Sequence, residues 1–192
     1  TGVDVSSADS LIAFCGYFNG SEVYYYNGTQ WVQIYSTQGS PYTYGFVGIF
    51  NKSGKLKWGK VLKGPSVYAL RCQWKGSGKL YVYGHFSDSM EVDGNKLYSA
   101  DPGLSSVFLM KFDSAGNYHG GSTIASSFEI WAEDMAIESD TAFLTYRFDI
   151  FAKFPDGTLV GTDTSTLVIE KIALNGYASA SRVLGLSLIH IS

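Results

Sequence analysis

Charge is scarce in this chain. Only 16% of its 192 residues are Asp, Glu, Lys or Arg, against about a quarter in ordinary domains. The formal net charge is −3, which argues against a nucleic-acid binder, since that would need a basic stripe to neutralise phosphates. Proline is nearly as rare, with 4 residues, and there are 2 cysteines and 3 histidines. No apolar run approaches the roughly 20 residues that cross a bilayer as a helix. The longest candidate, Val183 to Ile191, is interrupted by Ser187 and His190. The sequence starts at Thr1 without a basic-then-apolar leader, so it is read either as a chain whose signal peptide is gone or as a fragment.

Metal and redox motifs are equally thin. Cys15 and Cys72 do not form a CxxC pair, and His85, His119 and His190 are far apart, so no metal and no cofactor is expected. Two cysteines allow one disulfide. The plainer reading is two small buried hydrophobes.

What is present is aromatic and glycine-rich. Aromatics make up 16% of the chain, with 14 Tyr, 12 Phe and 22 Gly. Strand formers punctuated by glycine point to an all-β fold. Hydrophobic residues reach 45%, enough for one domain with a sizeable core.

The chain repeats itself three times. "SLIAFCGYF", "KLYVYGHF" and "TAFLTYRF" end on Phe18, Phe86 and Phe148, which are 68 and 62 residues apart. A second landmark follows each. Phe50, Phe112 and Ile172 correspond, as do Gly54, Gly116 and Gly176, at spacings of 62 and 60 residues. Between the two landmarks lie Asn27-Gly28, Asp93-Gly94 and Asp156-Gly157, dipeptides that favour tight hairpins. Each unit therefore reads as strand, hairpin, strand, loop, strand, turn, strand, with boundaries near 10–65, 66–127 and 128–184. In the second unit Leu80, Val82, Gly84 and Phe86 share one face and Tyr81, Tyr83 and His85 the other. Two apolar faces imply a sheet packed between sheets, so Phe50, Phe112 and Ile172 are expected to be buried there. Phe128, Trp131, Ala132, Met135 and Ala136 have helical spacing, but the repeat assigns that stretch to a strand. Residues 185–192 match nothing upstream and are expected to be a non-native or disordered tail.

The order "KLYVYGHF … VDGNKL … SSVFLMKFDSAGN" resembles the SBBP-type β-propeller repeat of bacterial surface proteins. The middle copy carries it best, in Tyr81, Val82, Gly84, Phe86, Phe108, Lys111, Phe112, Asp113 and Gly116. The first copy keeps Gly16, Phe18, Phe46, Phe50, Gly54 and Trp58. In the third, Tyr146 replaces the glycine, Ile172 the phenylalanine and Ala173 the aspartate. The resemblance implies three four-stranded antiparallel blades of a β-propeller. Three are too few to close a ring, so the propeller is expected to be a fragment or incomplete. It transfers packing and turn residues and no active site.

Catalytic patterns are weak. There is no nucleophile elbow, P-loop or zinc-protease helix. Carboxylates cluster at Asp88, Glu91 and Asp93 and at Glu133, Asp134, Glu138 and Asp140. Asp134 is the best candidate for an axial acid of a glycosidase, and solvated turn carboxylates are the plainer reading. "VYYYNGTQW", Val23 to Trp31, sets three tyrosines and a tryptophan around a hairpin, with Tyr25 and Trp31 as candidate binding residues for a glycan or protein ligand. Asn19, Asn27 and Asn51 head three glycosylation sequons, relevant in a eukaryotic source. The favoured reading is a non-enzymatic binding or adhesion scaffold, extracellular or at the cell surface. A propeller domain of a secreted glycan-active enzyme is the alternative. A third reading is a filament subunit that self-associates through its open end blades.

Overall fold

The structure, a computed structural model, describes residues 2–6, 10–20, 22–36, 41–76, 78–162, 164–176 and 178–187. These residues contain no helix; they form eighteen strands. The first unit comprises β1 (Gly2–Ser6), β2 (Leu11–Asn19), β3 (Glu22–Tyr26), β4 (Trp31–Ser36), β5 (Thr43–Asn51) and β6 (Leu56–Leu62). The second comprises β7 (Ser66–Lys75), β8 (Lys79–Ser87), β9 (Ser89–Val92), β10 (Asn95–Tyr98), β11 (Ser105–Asp113) and β12 (Tyr118–Ser127). The third comprises β13 (Glu129–Glu138), β14 (Thr141–Asp149), β15 (Phe151–Lys153), β16 (Leu159–Gly161), β17 (Thr166–Ala173) and β18 (Ala178–Ser187).

Hydrogen bonding follows the repeat. Antiparallel pairing gives β1-β2-β5-β6, β7-β8-β11-β12 and β13-β14-β17-β18. A small hairpin is inserted after the second strand of each: β3–β4, β9–β10 and β15–β16. The first two sheets are joined by a single parallel pair, Thr43 with Ser66, and β12 meets β15 through the single pair Ser126 and Lys153. The segment with helical spacing is β13. Of the expected tail, 185–187 are the last residues of β18 and 188–192 lie outside the described residues.

The first strands of the three sheets lie against one another. Trp74 N donates to Asp4 Oδ2 at 2.7 Å, and the Cys72 thiol donates to Gly2 O at 3.5 Å. Ile137 N donates to Gln73 Oε1 at 2.9 Å, and Arg71 Nε reaches Asp134 Oδ1 at 2.7 Å. Each pair ties one sheet's first strand to the next.

Among the described residues the core consists of two clusters, one per junction. Ala13, Val47 and Ile49 of the first sheet meet Val82, Phe108 and Phe112 of the second. On the second sheet's other face, Tyr83, Val107 and Leu109 meet Leu144, Phe148 and Ile172 of the third. The alternation along β8 is what lets one sheet serve both clusters. Phe112 and Ile172 are buried as expected, but Phe50 is only half-buried, as is Phe18 beside the buried Phe86 and Phe148. The reason is positional. The face of β5 that carries Phe46 and Phe50 corresponds to the β11 face that packs on the preceding sheet, and the first unit has no preceding sheet among the described residues.

Turn chemistry separates the third unit from the others. Asn51 Oδ1 accepts from Ser53 N and Lys55 N, and Asp113 Oδ1 from Ala115 N and Asn117 N. These clamps hold Gly54 and Gly116 at φ 77° and 92°, a region that glycine enters without steric cost. Ala173 has no side-chain acceptor, so only its carbonyl takes a bond, from Gly176 N at 3.5 Å, and Gly176 lies outside the left-handed region. The replacement of glycine by Tyr146 is compensated. A Cβ on Gly84 would sit 1.9 Å from Tyr68 O, whereas Tyr146 is fully buried and donates to Glu170 Oε2 at 2.6 Å. Arg182 neutralises that buried carboxylate at 2.8 Å, also bonds Asp156, and lies over the Phe154 ring.

Candidate binding surface

The β3–β4 hairpin presents two unlike faces. Its loop, Asn27 to Gln30, is pinned by Asn27 Oδ1, which accepts from Thr29 N, Thr29 Oγ1 and Gln30 N at 2.8–2.9 Å. That loop sets Tyr26 opposite Trp31 and Tyr25 opposite Val32. Alternation then puts Glu22, Tyr24, Tyr26, Trp31 and Gln33 outward, and all five are exposed. Trp31 is 69% exposed, Tyr26 53% and Tyr24 45%.

The outward side chains are organised. The Tyr26 and Trp31 rings lie 5.4 Å apart, centroid to centroid, at 51°. Tyr24 Oη donates to Glu22 Oε2 at 2.8 Å, and Gln33 Nε2 donates to Glu22 Oε1 at 3.2 Å. The hydrogen bond to Glu22 raises the Tyr24 pKa, so the phenol stays protonated. The result is an aromatic surface beside a carboxylate held by a phenol and an amide. Such a surface offers large contact area at low entropy cost, with polar groups to fix orientation.

Of the two residues read from the sequence, Trp31 lies on this face. Tyr25 lies on the other, half-buried with its ring edge-on to Phe50, 6.0 Å between centroids. Tyr24 and Tyr26 are the residues that sequence reasoning missed. The loop length between Tyr26 and Trp31 carried the necessary signal, because it fixes which tyrosine stands opposite the tryptophan.

Two further clefts occur at equivalent places in the repeat. One, of about 280 Å³, is lined by Tyr35, Gly59, Lys60, Lys63 and Asp93. The other, of about 340 Å³, is lined by Tyr98, Gly121, Thr123 and Lys153. Each lies between a sheet's last strand and the following unit's hairpin, with an ion pair at its edge: Lys60–Asp93 in the first and Lys153–Asp101, at 2.7 Å, in the second.

Most of the clustered carboxylates face a Lys or Arg side chain. Asp134 pairs with Arg71, Glu133 with Arg147 at 3.1 Å, and Asp140 with Lys75. Desolvation pushes the Asp134 pKa upward, but hydrogen bonds from Arg71 and Met135 N and the Arg71 charge outweigh it, and the net shift is downward. That direction is opposite to the raised pKa of a glycosidase's general acid. Asp93 pairs with Lys60 and Glu91 lies 3.9 Å from Lys96, while Asp88 accepts from Gly103 N. Among the described residues no three His, Cys, Asp or Glu side chains gather to hold a metal ion. No described helix is long and apolar enough to cross a membrane.

Comparison with protein-family models gives no match, and comparison with curated proteins gives none.

Proposed function

We propose that this chain is a non-enzymatic extracellular binding or adhesion module made of three consecutive propeller blades, related to the SBBP-type repeat. Supporting the architecture are three like four-stranded meanders with their first strands together. The observation that carries the function is the outward face of β3–β4, where Tyr24, Tyr26 and Trp31 stand exposed beside Glu22 and Gln33. Its ligand is a glycan or protein that stacks on the rings and bonds to the polar pair. Against the enzyme reading stand the cation partners of Glu133, Asp134 and Asp140.

The test is a glycan and protein array probed with the wild type, Trp31→Ala, Tyr26→Ala and Tyr25→Ala. Binding should weaken tenfold or more for the first two, since exposed aromatic anchors each contribute about 1–2 kcal/mol or more. Tyr25→Ala should alter stability rather than binding. Binding indifferent to Trp31 and Tyr26 would move the surface elsewhere. Polysaccharide hydrolysis abolished by Asp134→Asn would establish the enzyme instead.

A second reading, self-association through the end sheets, is favoured by the exposure of Val3 and Val5 on the first sheet and Ile169 on the third. Sedimentation that shifts with protein concentration, and loses that shift in Val3→Lys/Val5→Lys, would support it.

A further inference from the structure

Both cysteines face the same junction. Cys15 lies on β2 and points with Leu11 and Ala13 toward the second sheet; Cys72 lies on β7 and points with Val67 and Ala69 toward the first. Both are buried thiols in one apolar cluster. Gly2 links them. It is the cross-strand partner of Cys15, and its carbonyl accepts from the Cys72 thiol at 3.5 Å. A Cβ on Gly2 would fall 2.8 Å from Arg71 Cα and 2.9 Å from Cys72 N. Only glycine lets β1 approach β7 this closely, and that approach brings the Cys72 thiol to the carbonyl of the residue paired with Cys15. The interaction of the two thiols with each other is the main cause that holds the Cys15 pKa below the ordinary thiol value and, with burial, pushes that of Cys72 above it.

We propose that Cys15 and Cys72 are the two halves of a disulfide that cross-links the first sheet to the second. The oxidant is a low-molecular-weight disulfide of the glutathione type. The Cys15 thiolate attacks one of its sulfurs and expels one thiolate, leaving a mixed disulfide on Cys15. The Cys72 thiolate then attacks the Cys15 sulfur and expels the second. Two protein thiols lose two electrons and two protons, and the small disulfide is reduced to two thiols. Exchange takes place before the junction closes or when β1, an edge strand of five residues, lifts from β7. Once formed, the bond is shielded from reductants, and it suits an oxidising compartment. This inference is independent of the binding surface.

The experiment refolds the full chain from denaturant in a buffer of reduced and oxidised glutathione, then alkylates free thiols under denaturing conditions. The expected product is a monomer lacking free thiols, with a peptide containing Cys15 joined to one containing Cys72. Its thermal midpoint should exceed that of the dithiothreitol-treated chain by roughly 5–15 °C. Cys15→Ala and Cys72→Ala should show no such dependence on redox state. The oxidised-against-reduced comparison needs only the wild type, so it stands if either variant fails to fold. Two persistent free thiols, glutathione caps on separate cysteines, or disulfide-linked dimers would each overturn the proposal.

Discussion

His85 has its Nδ1 3.3 Å from Ala132 N, from which it accepts a hydrogen bond, and it stacks on Tyr68 with 4.7 Å between ring centroids. Only the neutral imidazole has a lone pair for that bond. Burial lowers its pKa from the usual 6.5 to about 4. Between those values the unfolded chain binds a proton that the folded chain refuses, so acidification through that window removes stability. The loss is up to roughly 3 kcal/mol, at about 1.4 kcal/mol per pH unit. Denaturant titrations at pH 7, 5.5 and 4 should show that decline, and His85→Gln should flatten it relative to the wild type. Equal pH profiles would mean that His85 protonates freely in the fold. The Asp113 pKa is also lowered, there in favour of the charged form: His119 is the main cause holding it below the carboxylate range, with Asn117 helping. Its contribution is present above about pH 4 and fades below it.

At the level of strands and turns, the same side chain has different worth in different units. Phe112 is fully buried between two sheets, whereas Phe50, its counterpart, keeps one side open. Phe112→Ala should cost about 3–5 kcal/mol, and Phe50→Ala about half that or less. Urea unfolding of the two variants measures the difference, and equal losses would show that the outer face of the first sheet is covered. The three hairpins and the alternation along β8 were legible in the sequence because they are set by neighbours in the chain, whereas each unit has six strands rather than four and β1 (Gly2–Ser6), which completes the first sheet, precedes the boundary read near residue 10. Assigning β13 to a strand against its helical spacing worked because the repeat outweighs a local coincidence of Phe128, Trp131 and Met135. What was not legible depends on distant partners. Nothing near Phe50 says that it lacks a neighbouring sheet. Tyr146 looked like decay of the pattern until Glu170 and Arg182, 24 and 36 residues on, proved to bond with each other and Glu170 with Tyr146. On the outward face of β3–β4 the sequence reading named Trp31, and the choice between Tyr25 and Tyr26 lay in the hairpin register that the loop length sets.

For the whole molecule, stability is a sum of sheets and of the junctions between neighbours, as in other repeat proteins. Removing an end unit should therefore delete one junction and leave the other intact. A chain ending at Ser127 should keep a cooperative unfolding transition, monitored by calorimetry, with a smaller enthalpy. A chain beginning at Ser66 removes the strand on which a hairpin rests: Lys63 and Glu91 exchange backbone bonds, and Asp93 pairs with Lys60. Should both truncations unfold alike, the hairpins contribute nothing to the junctions. The hairpins also give the assembly a direction. Those of the second and third units each reach back, β9–β10 to the edge of β6 and β15–β16 to β12. A chain leaving the ribosome amino end first thus finishes each sheet before its successor arrives to latch it, so synthesis itself works as a ratchet that closes one junction at a time.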